Sequence, residues 1–365
     1  MNKAKEHFHG SDLEKVEKIF GISKESITSF GANVNPLGIS PMLRSNLASH
    51  IDAITTYPDR EYTDLRNAIS IYTGAPFDSI MVGNGSTELI GLFIQIQNPK
   101  KALVISPTYS EYEREILLSG GTCVYHFLKE EHEFHVDTDA LIKDITNEID
   151  LLIICNPNNP TSTVIPRKEM EAILKHCQTT NTFVLIDETY IEFSPEMDQI
   201  TAIPLAARYS NMVILRGISK FFAAPGLRLG YSICSNQKLY EKMQEIKNPW
   251  TINSLAGVAG EIMFSDHDYI HASKKFNEEE RNYCRQQLDT MRHVKYYDSY
   301  GNFLLIKLLK EGITSYDVFV HCIKKGLMIR DCSDFAGLDE TFIRFCFMSH
   351  EKNVELMDAL KEFLS

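Results

Sequence analysis

No uninterrupted apolar run in this sequence approaches ~18 residues, so it predicts no transmembrane helix. The first twelve residues, MNKAKEHFHGSD, contain no apolar core and predict no signal peptide. The eight cysteines include no Cys-x-x-Cys pair, which argues against a zinc knuckle. Several sit in apolar runs such as Leu151-Leu152-Ile153-Ile154-Cys155, as buried free thiols of a reducing, cytoplasmic compartment would. Basic residues are scarce: 37 Lys and Arg stand against 49 Asp and Glu, a net charge of -12. Such a surface disfavours nucleic acid and anionic membrane as partners, though it leaves room for a local basic pocket. There is no internal repeat and no low-complexity tract. What remains is an ordinary globular composition, 44% hydrophobic and 24% charged, in a 365-residue chain long enough for two lobes.

Short apolar runs alternate with amphipathic stretches over most of the length. Strands are predicted at 79–82, 102–106, 123–128, 151–155, 183–186, 212–215 and 231–234, with helical patterns at 88–97, 109–119 and 168–177. This alternation predicts an α/β domain with a largely parallel sheet. Ligands of such sheets sit beyond the carboxyl ends of the strands, so the residues just after each strand carry the functional interest. From Asn253 to about Arg285 the pattern is one long helix. Shorter strands follow at 302–307, 327–330 and 342–347, then a closing helix at 351–364. The expected organisation is an N-terminal arm (1–35) packed on the small lobe, a large domain (36–252), and a linking helix with a small α+β domain (253–365).

Four segments carry chemistry. Ser219-Lys220 through Pro225-Gly226-Leu227-Arg228 places one lysine in an apolar, Gly/Pro-punctuated stretch. An apolar setting disfavours the ammonium form and prepares an amine for Schiff-base chemistry, while Arg228 stays charged and needs an anion. Phe183–Tyr190 ends a buried strand on Asp187, with Tyr190 three residues later. That carboxylate could hold a heteroaromatic nitrogen in its protonated form, or simply cap the next helix. Asn156-Pro157-Asn158-Asn159-Pro160 sets a rigid turn with the Asn159 amide at the sheet edge. Gly83-Asn84-Gly85-Ser86-Thr87 opens a helix and could cradle an anion, but it is neither a Walker loop nor a dinucleotide fingerprint. His132-x-x-His135, among Glu130, Glu131 and Glu133, reads as a solvated charged turn rather than a metal site.

These four segments, in this order and each after a predicted strand, resemble the fold-type I pyridoxal-phosphate enzymes, the aspartate-aminotransferase superfamily. The resemblance runs from about Phe30 to the C-terminus. It implies a large domain with a mostly parallel seven-stranded sheet, a smaller α+β C-terminal domain, and pyridoxal 5′-phosphate as cofactor. It further implies that Lys220 bonds the cofactor's aldehyde and shuttles protons, and that Asp187 pairs with the ring nitrogen. Asn159 and Tyr190 would bond the phenolic oxygen, and Tyr109 would stack on the ring. Gly85, Ser86, Thr87, Ser219 and Arg228 would hold the phosphate. Tyr57 would reach that phosphate from a neighbouring subunit, in a homodimer with shared sites. Arg344 would grip a substrate carboxylate. Two departures concern the phosphate end: Gly217 stands where the family often has Ser or Thr, and the Asn-Pro turn ends Thr161-Ser162 instead of Thr-Gly.

Within the superfamily, His9-Gly10-Ser11, Asn33-Val34-Asn35-Pro36, Asn248-Pro249-Trp250 and Met328-Ile329-Arg330-Asp331-Cys332 resemble threonine-phosphate decarboxylases of the cobalamin pathway. Histidinol-phosphate aminotransferases are next. The implied partner is a small phosphorylated amino acid, with Arg344 for its carboxylate and Arg330, His9 and Asn33 for its phosphate. Arg330 and Arg344 fall on different predicted strands, from which different anions could be served. Decarboxylation and transamination differ only in which Cα bond stands perpendicular to the cofactor ring, and the sequence leaves that angle open. A regulator with a winged-helix domain is disfavoured, since only about 30 residues precede Gly31.

Overall fold

The computed structural model describes residues 7–364. Its thirteen strands are β1 (Thr28–Ser29), β2 (Ile80–Gly83), β3 (Lys101–Ser106), β4 (Thr122–Phe127), β5 (Leu151–Cys155), β6 (Phe183–Asp187), β7 (Met212–Gly217), β8 (Gly230–Ile233), β9 (Val294–Tyr296), β10 (Phe303–Leu308), β11 (Leu327–Met328), β12 (Arg330–Asp331) and β13 (Phe342–Cys346). Seven form one sheet in the order β2-β8-β7-β6-β5-β3-β4. Only β8 runs against its neighbours. The central strands β5, β6 and β7 are buried on both faces, which is why they read as continuous apolar runs rather than alternating ones. Helices such as Gly85–Gln97 and Arg167–Thr180 cover the two faces, as parallel connections require. This is the aspartate-aminotransferase-like α/β fold, with the mostly parallel seven-stranded sheet that the motifs imply.

A four-stranded antiparallel sheet, β12-β13-β10-β9, carries the second hydrophobic core. The N-terminal segment belongs to this core: Phe8, Val16, Ile27 and Phe30 pack with Phe319, Leu327 and Phe345. β1 pairs in parallel with β11, Thr28 opposite Leu327 and Ser29 opposite Met328.

Three expectations need correction. The single linking helix is two helices, Ser254–Ser265 and His267–Leu288. Asp266 separates them because its side chain accepts from the Tyr269 N–H, an N-cap that starts a new helix. The predicted strand at 327–330 is two short strands, β11 and β12, which pair with different partners. β9 has no predicted counterpart, since all three of its residues are half-buried and present no apolar run. Among the described residues no helix is long and apolar enough to cross a membrane, and all eight cysteines are free, seven of them buried.

Candidate active site

A cavity of about 380 Å³ opens at the carboxyl ends of the parallel strands, between the two sheets. Its floor is Asp187, the last residue of β6, flanked in register by Cys155 and Leu215. The strand delivers the carboxylate and three donors fix it. Tyr112 donates its O–H to Oδ2 at 2.7 Å, and Thr189 donates to Oδ1 through its backbone N–H at 2.9 Å and its hydroxyl. Burial pushes the Asp187 carboxyl above its usual range, and those donors pull against it. The Thr189 bond is the local turn that the capping reading would give, while Oδ2 is held by Tyr112.

Lys220 stands in the loop after β7. Ile218 N–H to the Leu229 carbonyl and Ala223 N–H to the Lys220 carbonyl fold that loop back on itself. Asn35 clamps it from the N-terminal segment, its N–H reaching the Lys220 carbonyl at 3.0 Å and its amide the Phe221 carbonyl at 2.8 Å. The Lys220 amine donates to the Ala32 carbonyl at 2.6 Å. Burial, with Arg344 and Arg228 nearby, pulls its pKa from 10.5 to about 8. The apolar setting read from the sequence therefore has the predicted electrostatic effect.

The anion cradle is built on backbone proximity. Gly85 opens its helix at φ +80, and a Cβ there would lie 2.4 Å from Arg228 Nη2. Gly230 passes so near the same turn that a Cβ would sit 2.4 Å from the Ser86 nitrogen. Arg228 itself is left-handed at φ +59, which turns its side chain back over the helix start. Ser86, Thr87 and Ser219 line the cavity beside it. Gly217 has room: a Cβ would meet Leu229, Gly230 and Ser86 only at 3.5 Å or more. Gly217 itself carries no hydroxyl.

Tyr109, Asn159 and Tyr190 also line the cavity. Asn33 donates to the Tyr190 hydroxyl at 3.4 Å, and burial raises the pKa of that phenol. Arg344, on β13, donates to Asn159 Oδ1 and to the Gly31 carbonyl at 2.8 Å. Burial lowers its pKa. Arg344 Nε and Asn33 Oδ1 are buried and make no hydrogen bond within the described residues.

Arg330 and Arg344 are not kept apart by their strands. β12 and β13 are neighbours and the two arginines are direct register partners, so both guanidinium groups face one cavity. Arg330 donates to the Phe8 carbonyl at 2.9 Å and to both oxygens of Asp334. His9 lines the rim, with Nδ1 2.8 Å from Ser11 Oγ. Partial burial, then the nearby Lys220, Arg330 and Arg344, hold its pKa below the usual histidine value. Tyr57 is the one predicted site residue that lies elsewhere: it is 80% exposed and packs on Trp250 at 4.9 Å between ring centroids.

Sequence reasoning missed Tyr112, Thr189 and Asp334. Thr189 had a signal, because Asp followed two residues later by a donor is an Asx turn. Tyr112 lies one helical turn after Tyr109, on the face that meets the sheet. Asp334 lies four residues from Arg330.

The model of the family described as aminotransferase class I and II matches residues 25–360. A Caldanaerobacter subterraneus subsp. tengcongensis protein, provisionally named threonine-phosphate decarboxylase, is 39% identical over 90% of this chain and 88% of its own. The Salmonella typhimurium threonine-phosphate decarboxylase is 31% identical over 98% of this chain and 96% of its own. The crystal structure of histidinol-phosphate aminotransferase from Clostridium acetobutylicum superposes with a TM-score of 0.86, at 32% identity, covering 92% of this chain and 98% of that one. The donor set suits pyridoxal 5′-phosphate: an amine whose pKa is lowered by burial, a buried carboxylate for a ring nitrogen, and a glycine-dependent anion cradle under Arg228. By sequence and by fold, this chain belongs to the class I and II aminotransferase family, and its cofactor is pyridoxal 5′-phosphate.

Proposed function

We propose that the chain decarboxylates L-threonine phosphate to (R)-1-amino-2-propanol phosphate, the reaction of cobalamin biosynthesis. The observation that carries this reading is the register pair Arg330 and Arg344 on one cavity wall. A substrate with both a carboxylate and a phosphate needs two cationic anchors, and two guanidinium forks suit them. The likeness to two relatives bearing that name supports the choice.

When bound, the cofactor bonds the substrate amine through its aldehyde and draws electrons from Cα into its ring. Asp187, held by Tyr112 and Thr189, keeps the ring nitrogen protonated. Asn159, Tyr190 and the ring of Tyr109 would hold the cofactor ring. Ser86, Thr87, Ser219 and Arg228, under Gly85, hold the cofactor phosphate. Arg344 takes the α-carboxylate, and Arg330 with His9 and Asn33 takes the substrate phosphate. Their joint grip would orient the substrate so that the bond to its α-carboxylate is the one that breaks, releasing CO₂. Lys220, as its ammonium, would then give a proton to Cα and be left as the neutral amine. A second copy of this chain supplies Tyr57: the exposed face formed by Ile51, Ile54, Tyr57 and Trp250 is the surface that would meet it.

A second reading, a histidinol-phosphate type aminotransferase, is favoured by the likeness to the Clostridium enzyme. There Lys220 takes the Cα proton instead. Product analysis by mass spectrometry separates them. Threonine phosphate should give CO₂ and aminopropanol phosphate with no keto acid present. Turnover that requires 2-oxoglutarate and yields glutamate would establish the aminotransferase in its place.

A further inference from the structure

On the substrate side of the cavity, the counter-ion of Arg330 is the side chain of Asp334. Asp334 closes a two-oxygen ion pair on Arg330 Nη2, at 2.7 and 2.6 Å. The two partners differ in burial. The arginine side chain is 9% exposed and the aspartate 33%. Arg330 does not need Asp334 for its position. It is held by the Phe8 carbonyl at 2.9 Å, and its guanidinium lies 5.1 Å from the centre of the Phe335 ring. The loop that carries Asp334 is held as well, because Ser106 donates to the Ala336 carbonyl at 2.8 Å. The carboxylate can therefore rotate into water while both the guanidinium and the loop backbone stay in place.

The surroundings explain why a carboxylate stands there. Arg330, its register partner Arg344, and Lys220 face one small cavity with His9 at the rim. Like charges this close repel, and an anion among them relieves that repulsion. With the substrate absent, Asp334 is that anion.

We infer that Asp334 is a specificity-determining residue: a resting counter-ion on Arg330 that the distal anionic group of the substrate displaces. The inference rests on the proposed assignment of Arg330 to the substrate phosphate. Displacement sets a threshold. A phosphate, with two charges and several acceptor oxygens, replaces the carboxylate and sends it to solvent. A neutral hydroxyl cannot, so an unphosphorylated amino acid leaves the pair closed. The same feature lowers the affinity for phosphate below what an open Arg330 would give.

The test uses the cofactor-loaded enzyme and its Asp334→Asn variant, with Asp334→Ser as a second variant should the amide bond Arg330 in another way. Inorganic phosphate binding is read by calorimetry. KM is read for threonine phosphate and for threonine. Removing a competing, partly exposed ion pair should tighten phosphate binding about fivefold. The KM for threonine phosphate should fall by a similar factor while that for threonine does not follow. Asp339→Asn, which removes the same charge from the next turn of the chain, should leave phosphate affinity where it was. Phosphate binding that is unchanged or weaker in both Asp334 variants would overturn the inference and make Asp334 an orienting partner of Arg330. An equal shift for Asp339→Asn would also overturn it, by tracing the effect to net charge. Failure of the decarboxylase reading is visible separately, as absence of CO₂ from threonine phosphate, and leaves the phosphate titration intact.

Discussion

Replacing Lys220 by methionine should stabilise the cofactor-free protein at neutral pH. The amine falls from its ordinary 10.5 to about 8 in the folded chain, chiefly through burial and the positive charge of Arg344. Below pH 8 the ammonium is present in both folded and unfolded states, and the folded state carries the whole penalty. That difference corresponds to roughly 3 kcal/mol. Methionine keeps the length of the side chain and removes the charge, but it forfeits the bond to the Ala32 carbonyl, a loss of about 1 kcal/mol. The expected gain is about 2 kcal/mol at pH 7. Between 8 and 10.5 the folded chain has released a proton that the unfolded chain still holds, so native stability rises with pH. By pH 10 the advantage of the variant should have nearly vanished. Urea denaturation of both proteins at pH 7, 8.5 and 10 measures this. A difference between them that does not change with pH, or a variant less stable at pH 7, would refute the electrostatic account of Lys220.

Two other substitutions test the site. Asp187→Asn keeps the shape that Tyr112 and Thr189 hold but removes the charge opposite the ring nitrogen. Its kcat should fall at least about a hundredfold with cofactor still bound by absorbance, and a loss under tenfold would remove Asp187 from its role. Gly85→Ala places a Cβ 2.4 Å from Arg228 Nη2 at φ +80, with about 1–2 kcal/mol of backbone strain before the guanidinium moves. Cofactor affinity by fluorescence titration should weaken about tenfold or more, and an unchanged affinity would contradict the cradle.

The large sheet was legible because its strands are short apolar runs bounded by Gly, Pro and Asn, with β5 read to the residue. The same rule hid β9, whose half-buried Val294, Lys295 and Tyr296 carry no such run. Helical periodicity carried straight through Asp266, although an Asp three residues before Tyr269 is a start signal that local reading could have weighed. Motif order brought Lys220, Asp187, Asn159 and Arg228 into one cavity's lining. What linear reading could not supply was strand pairing. Fourteen residues of spacing say nothing of whether Arg330 and Arg344 are neighbours, and no pattern links Tyr112 to Asp187, 75 residues away.

The cavity wall joins the start of the chain to its end. Arg344 leans on the Gly31 carbonyl across 313 residues, and Lys220 on Ala32 across 188. A ribosome makes Gly31 and Ala32 before the strands of the large sheet, and Arg344 after them. A nascent chain can therefore complete the large sheet, with its lysine, while still lacking Arg330 and Arg344. The amine of Lys220 is thus made before Arg344, which reaches the cavity only once β13 has emerged.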